Sequence, residues 1–129
     1  MVSRALADTS VFIASETGRA VDVGAMPEEI AVSIITVGEL RAGVLAAADL
    51  LTRDRRLQTL LRALDLQPVS IDQSVADAWA RLRILLRDRS LQMPVNDSWI
   101  AATALALDVP VLTQDADYVD LPGFDVIRI

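Results

Sequence analysis

The sequence predicts an α/β fold of three layers, with a mainly parallel central sheet and helices on both of its faces. Three observations carry that expectation. Short apolar runs of strand character alternate with longer stretches of helical period along the whole chain, the pattern of βαβ units. Residues 73–89 place Val75, Ala78, Trp79, Leu82, Leu85 and Leu86 on one stripe, with Arg81, Arg83, Arg87 and Arg89 mostly off it. Residues 98–107 (SWIAATALAL) are apolar nearly all round, which predicts a buried helix. With 129 residues, 53% of them hydrophobic, one domain over 1–129 can bury a core without staples.

The elements follow in order. RALA at 4–7 reads as a first strand ending at Asp8, and TSVFIASET at 9–17 as a helix stopped by Gly18. Residues 18–29 are loop-like or weakly helical. IAVSII at 30–35 is a buried strand by its β-branched content, and Thr36 opens a helix to about Ala48. Leu57, Leu60, Leu61 and Leu64 form one face of a helix over 50–64. Pro68 breaks the chain before a short strand at Val69–Ile71. After the 73–89 helix, Pro94 precedes the 98–107 helix, and VPVLT at 109–113 and DVIRI at 125–129 are the last strands.

Composition narrows the chemistry. The chain has no His and no Cys, and all 12 of its basic residues are Arg. Imidazole and thiolate catalysis, disulfides, the P-loop lysine and Schiff-base chemistry are thereby excluded. Carboxylates, hydroxyls, Arg and a bound metal remain. The formal net charge is −6, from 14 Asp and 4 Glu against 12 Arg. Nucleic-acid binders are usually basic, but five carboxylates gathered in one metal site leave −6 + 5 = −1 for the rest. No apolar run approaches the roughly 18 residues of a membrane span, and Asp8 interrupts any secretory signal. A cytoplasmic protein is expected.

In a doubly wound sheet, sites form outside the carboxyl ends of the strands. Asp8 ends the first strand, Glu39 lies one turn past the second, Asp115 follows the 109–113 strand and Asp97 opens the buried helix. Each also has an ordinary reading. Asp8 and Asp97 are potential N-caps, Thr36-Val37-Gly38-Glu39 fits a capping box, and Thr113-Gln114-Asp115 fits a turn. Asp72 looks locally like Asp97 and is assigned to capping alone. The conjunction is more specific. Four converging acids repel one another without a cation, and with Mg²⁺ or Mn²⁺ they form a hard oxygen-ligand site.

Four segments, LADTSVFI at 6–13, SIITVGELRAGV at 33–44, PVNDSWIAATAL at 94–105 and VLTQDADY at 111–118, occur in an order and spacing that spans nearly the whole chain. Together they resemble the PIN-domain nucleases and, within them, the VapC toxins of type II toxin–antitoxin systems. The resemblance implies a PIN-like fold and an acidic set of Asp8, Glu39, Asp97 and Asp115. It makes Asp8 and Asp97 the main metal ligands, with Glu39, Asp115 and Asp117 as further possible ligands. Thr9 or Ser10, with Thr113, would orient ligands or the attacking water. It also implies an RNA substrate, a cognate antitoxin and a homodimer. The sequence departs from the family at Ser90-Leu91, where a Gly often precedes the proline segment, and at Tyr118, where Phe is more usual. Neither departure is expected to touch the chemistry.

The chemistry also follows from the residues alone. No side chain is a good base near neutral pH unless a carboxylate is strongly shifted, and one or two divalent metal ions can activate the water that phosphodiester hydrolysis needs. The RNA's own 2′-OH is then not the nucleophile, and the products carry a 5′-phosphate and a 3′-OH. Arg53, Arg55, Arg56 and Arg62 read as a solvated helix face, with phosphate or antitoxin contact as the alternative. Trp79 reads as packing, and Trp99 as packing or base stacking. An amphipathic antitoxin segment is expected in a groove lined by the 9–17 and 36–64 helices. A PIN-type nuclease not serving as a toxin is the near alternative, and two rivals come from other classes. One is a catalytically silent protein-binding module whose acids are caps. The other is an Asp-nucleophile phosphotransfer domain, which lacks the Lys it needs.

Overall fold

The structure, a computed structural model, describes residues 3–129. Its elements are β1 (Arg4–Ala7), α1 (Thr9–Thr17), β2 (Glu29–Val32), α2 (Ile34–Leu45), α3 (Leu50–Asp65), α4 (Gln73–Asp88), α5 (Val95–Leu107), β3 (Val111–Thr113) and β4 (Val126–Arg128), with a single 3₁₀ turn at Val23–Ala25. The four strands lie in the order β2-β1-β3-β4, and every pairing is parallel. The chain winds outward from β1 to β2, then returns to the other side of β1 for β3 and β4. The crevice where that direction reverses opens beyond the carboxyl ends of β1 and β3.

Side chains alternate across the sheet, as the period of a strand requires. Leu6, Ala31 and Val111 join a core with Leu82 and Leu86 of α4, Ile100, Ala101 and Ala104 of α5, and Tyr118, Leu121 and Phe124 of the following loop. Ala5, Ala7 and Leu112, fully buried, point to the opposite face, where α1 lies against β1 and β3. A second cluster holds Leu40 and Val44 of α2 and Leu60 and Ala63 of α3, with Phe12 and Ile13 of α1 against it. The three-layer arrangement and the order of the elements are those expected from the sequence.

Several boundaries differ, each for a local reason. The second strand ends at Val32 rather than residue 35, because the Ser33 side chain accepts from the Ile35 N–H and caps a helix that begins at Ile34. Thr36 is therefore inside α2, and the capping box with Glu39 does not form. Helix α5 begins at Val95 rather than Ser98, with Pro94 at its N-cap, so Asp97 sits within the first turn and caps nothing. Val69 makes an isolated parallel bridge with Ser33 instead of a strand. On α3, Leu60 is buried but Leu61 and Leu64 are exposed, so only part of the Leu stripe faces the core. Among the described residues, no helix is long and apolar enough to cross a membrane.

Candidate active site

Asp8 is the residue at which β1 becomes α1. It has the extended backbone of an N-cap and accepts the Ser10 N–H at Oδ2 (3.3 Å). The capping reading of Asp8 is therefore correct, and it is not the whole of its role. Thr113, at the end of β3, donates its hydroxyl to the same Oδ2 (2.9 Å), and the Tyr118 hydroxyl donates to Oδ1 (3.0 Å). Only 2% of Asp8 is exposed. A surface cap needs neither that burial nor three donors.

The hydroxyl residues beside it form a connected set. Ser10 Oγ and Thr113 Oγ1 are 3.1 Å apart, and Ser10 Oγ accepts the Gln114 N–H (2.9 Å). Thr113 Oγ1 also accepts the Asp115 N–H (2.8 Å), and Asp115 Oδ1 accepts the Asp117 N–H (2.9 Å). These short loops of hydrogen bonds fix the chain after β3 so that Asp115 and Asp117 turn back toward the sheet edge. On the β2 side, Thr9 donates to Glu39 Oε1 (2.7 Å), and Thr9 and Thr36 hydroxyls lie 2.9 Å apart. Thr36 has thus exchanged the expected cap for a hydroxyl pair beneath Glu39.

Asp97 reaches the same edge from α5. Burial raises its carboxyl from the ordinary 3.8 to about 7, with the charges of Asp8, Asp115, Glu39 and Asp117 adding to the rise in that order. All five sequence-predicted acids therefore share one electrostatic environment. Asp97, Asp115 and Asp117 each offer a carboxylate oxygen within 4.8 Å of the other two. Asp8 and Glu39 stand outside that trio, held by hydroxyl donors. The ion pairs among the described residues fall elsewhere, at Asp77, Asp88 and Asp120. A dense set of hard oxygen donors without an Arg partner fits a divalent cation of the Mg²⁺ type.

Tyr118 is the residue that sequence reasoning placed outside the chemistry and the structure brings to its edge. It is buried in the core, and burial together with the Asp8 carboxylate keeps its phenol proton bound far above the ordinary range. No local spacing could have signalled a contact between residues 110 apart. Trp99 stacks on Trp79 with ring centroids 4.3 Å apart and planes 3° from parallel, and the Arg83 guanidinium lies 5.1 Å from the Trp79 ring. One face of Trp99 is thus committed to packing between α4 and α5. Of the Arg residues on α3, Arg56 donates to the Gly43 carbonyl (2.7 Å) and ties α3 to α2. Asp72 caps α4 through the Val75 N–H (3.0 Å) and is far less enclosed than Asp8.

The family model described as the PIN domain matches residues 5–123. The chain belongs to the PIN-domain family. Among curated proteins, this PIN domain is 48% identical over 128 residues to Ribonuclease VapC4 of Mycobacterium tuberculosis, covering 99% of the chain and 98% of the relative. It is 44% identical over 125 residues to Ribonuclease VapC5 of the same organism, covering 95% and 93%. Among solved structures, it superimposes on a chain of VapBC-5, a toxin–antitoxin system of Mycobacterium tuberculosis, with a TM-score of 0.90, 38% identity and coverage of 98% and 99%. VapBC2 from Rickettsia felis shares the PIN fold at a TM-score of 0.80 and 18% identity, over 97% and 98% of the two chains.

Proposed function

We propose that this PIN domain is a divalent-metal-dependent endoribonuclease and the toxin of a type II toxin–antitoxin pair. The observation that carries the catalytic part is the convergence of four carboxylates on a fifth, Asp97, at the switch point of the sheet, with no ion pair to balance them among the described residues. Its near-full-length likeness to ribonucleases of the VapC group supplies the substrate class. The toxin role rests on that likeness and on the toxin–antitoxin system whose chain it superimposes on.

In this reading the trio Asp97, Asp115 and Asp117 would hold Mg²⁺ or Mn²⁺ together with Asp8, with Glu39 completing the negative wall. The ion, when bound, neutralises phosphate charge and makes water a competent nucleophile near neutral pH. Asp97, whose carboxyl is pushed up to about 7 by burial and its acidic neighbours, would hold the ion as the carboxylate. Thr9 holds the Glu39 carboxylate at Oε1, and Thr113 and Ser10 hold that of Asp8 at Oδ2. Water attacks phosphorus, the bond to the 3′-oxygen breaks, and that oxygen leaves as a 3′-OH beside a 5′-phosphate.

The antitoxin, in this reading, docks on the helices that carry exposed Leu45, Leu50 and Leu51 around the α2–α3 junction. We infer a single-domain cytoplasmic protein that pairs as a homodimer. The test is cleavage of a defined RNA by purified protein with Mg²⁺, with EDTA, and by Asp97→Asn, with mapping of the 5′ ends. Cleavage that needs the ion and Asp97 is expected. Cleavage that survives EDTA or the substitution overturns the catalytic reading. Expression alone should arrest growth, and co-expression with the neighbouring open reading frame should relieve it. A silent binding module does neither.

A further inference from the structure

We propose that Tyr118 is a positioning residue for the reaction: its hydroxyl fixes the Asp8 carboxylate so that one lone pair of Oδ1 stays open toward the ion site. The inference rests on the divalent-ion reading of that site. Its starting point is the count of donors on Asp8. Oδ2 accepts from both the Thr113 hydroxyl (2.9 Å) and the Ser10 N–H (3.3 Å), which uses its two lone pairs. Oδ1 accepts from Tyr118 alone (3.0 Å) and keeps one. A carboxylate held at both oxygens cannot rotate, so the phenol decides where the remaining lone pair points. Asp8 stands at the end of β1 beside β3, whose end leads into Asp115 and Asp117, and it is the acid whose charge acts most strongly on Asp97, so it borders the trio that would hold the ion.

The hydroxyl has no other evident purpose. The ring is 1% exposed, packed in the core with Leu121 and Phe124, its centroid 6.4 Å from that of Phe124. Phe fills the same volume without a buried polar atom that must find a partner. The backbone is braced as well. Arg128 on β4 donates to the Tyr118 carbonyl (2.7 Å), which anchors the loop after Asp117 to the sheet. The residue is therefore held by its ring in the core and by its backbone carbonyl at β4, and its hydroxyl bonds the acid.

The experiment compares wild type with Tyr118→Phe, reading Mn²⁺ affinity by electron paramagnetic resonance of the free ion, and folding by circular dichroism. Partners that orient a ligand commonly contribute roughly ten- to a hundredfold in metal affinity, and a loss of that size is expected. A purely structural role lowers the melting point of the ion-free chain but leaves the affinity alone. Equal or tighter Mn²⁺ binding by a folded Tyr118→Phe protein overturns the proposal and leaves the metal reading standing. A wild type that takes up no Mn²⁺ ends both. Should Tyr118→Phe fail to fold, the native sequence still decides. The chain holds a single Tyr, so growth on 3-fluorotyrosine places one fluorine label at this position. Its ¹⁹F resonance should move on Mg²⁺ titration with the midpoint of the thermal stabilisation, and an unmoved line overturns the proposal.

Discussion

Asp97→Asn should stabilise the ion-free protein, and by an amount that depends on pH. The native carboxyl holds its proton to about pH 7, chiefly because it is buried and secondly because Asp8, Asp115, Glu39 and Asp117 surround it. The unfolded chain releases that proton near 3.8. Between those two values the native state binds more protons than the unfolded state, so wild-type stability falls as pH rises through the window and is level above it. At 1.36 kcal/mol per pH unit, the full cost is on the order of 4 kcal/mol. Asn is neutral throughout and keeps the shape. It loses the favourable interaction of a first-turn carboxylate with the helix dipole, about 0.3–1 kcal/mol. The net gain above about pH 8 is then roughly 3 kcal/mol, a rise in melting temperature of roughly 10 °C for a chain of this size. Near about pH 4 the two proteins should melt together. The assay is thermal unfolding in EDTA across that range. A variant that melts at or below wild type at the alkaline end, or an offset that ignores pH, refutes the electrostatic account of the site.

Other outcomes follow from the same geometry. Mg²⁺ at a hundred times its dissociation constant should stabilise wild type by about 2.7 kcal/mol through mass action, and Asp115→Asn by clearly less, read as melting temperature against ion concentration. Thr9→Val removes the donor to Glu39 without changing volume, so kcat for RNA should fall while the far-ultraviolet spectrum is preserved. Asp72→Ala should cost about 1 kcal/mol in denaturant unfolding, as the loss of an N-cap does, with RNA cleavage and Mg²⁺ affinity unaltered. Leu50→Asp and Leu51→Asp, at exposed positions on α3, should leave cleavage intact and weaken co-purification with the antitoxin.

What the sequence conveys, and what it withholds, is clearest in residues 33–39. Ser33 and Thr36 are both competent caps, and Thr36 even has an acid three positions on. Propensity alone favours neither. The choice is made by tertiary contacts: β2 pairs with β1 only as far as Val32, and the Ile34 N–H bonds the Val69 carbonyl as the chain turns. Thr36 is then free to meet Thr9 across 27 residues. Periodicity located the strands and helices because burial on one face is a repeated, local demand. It could not fix their ends, which are single hydrogen bonds won or lost in three dimensions.

The same reasoning separates Asp8 from Asp72, which local sequence cannot. Both precede helices, and both accept a backbone N–H from the first turn. A cap and a ligand want the same place, because the turn from strand to helix at a sheet's carboxyl edge both leaves amides bare and opens onto the crevice. The difference is what else arrives there. At Asp72 nothing does, and the carboxylate remains in water. At Asp8 the end of β3 brings Thr113, the loop beyond it brings Tyr118, and α5 brings Asp97, from positions 89 to 110 residues away along the chain. Burial with two hydroxyl donors and acidic neighbours is a costly arrangement that a cap of about 1 kcal/mol would not repay. A cation at the proposed site would offset that cost, which would make the stability of the ion-free protein and its affinity for the ion two readings of one interaction.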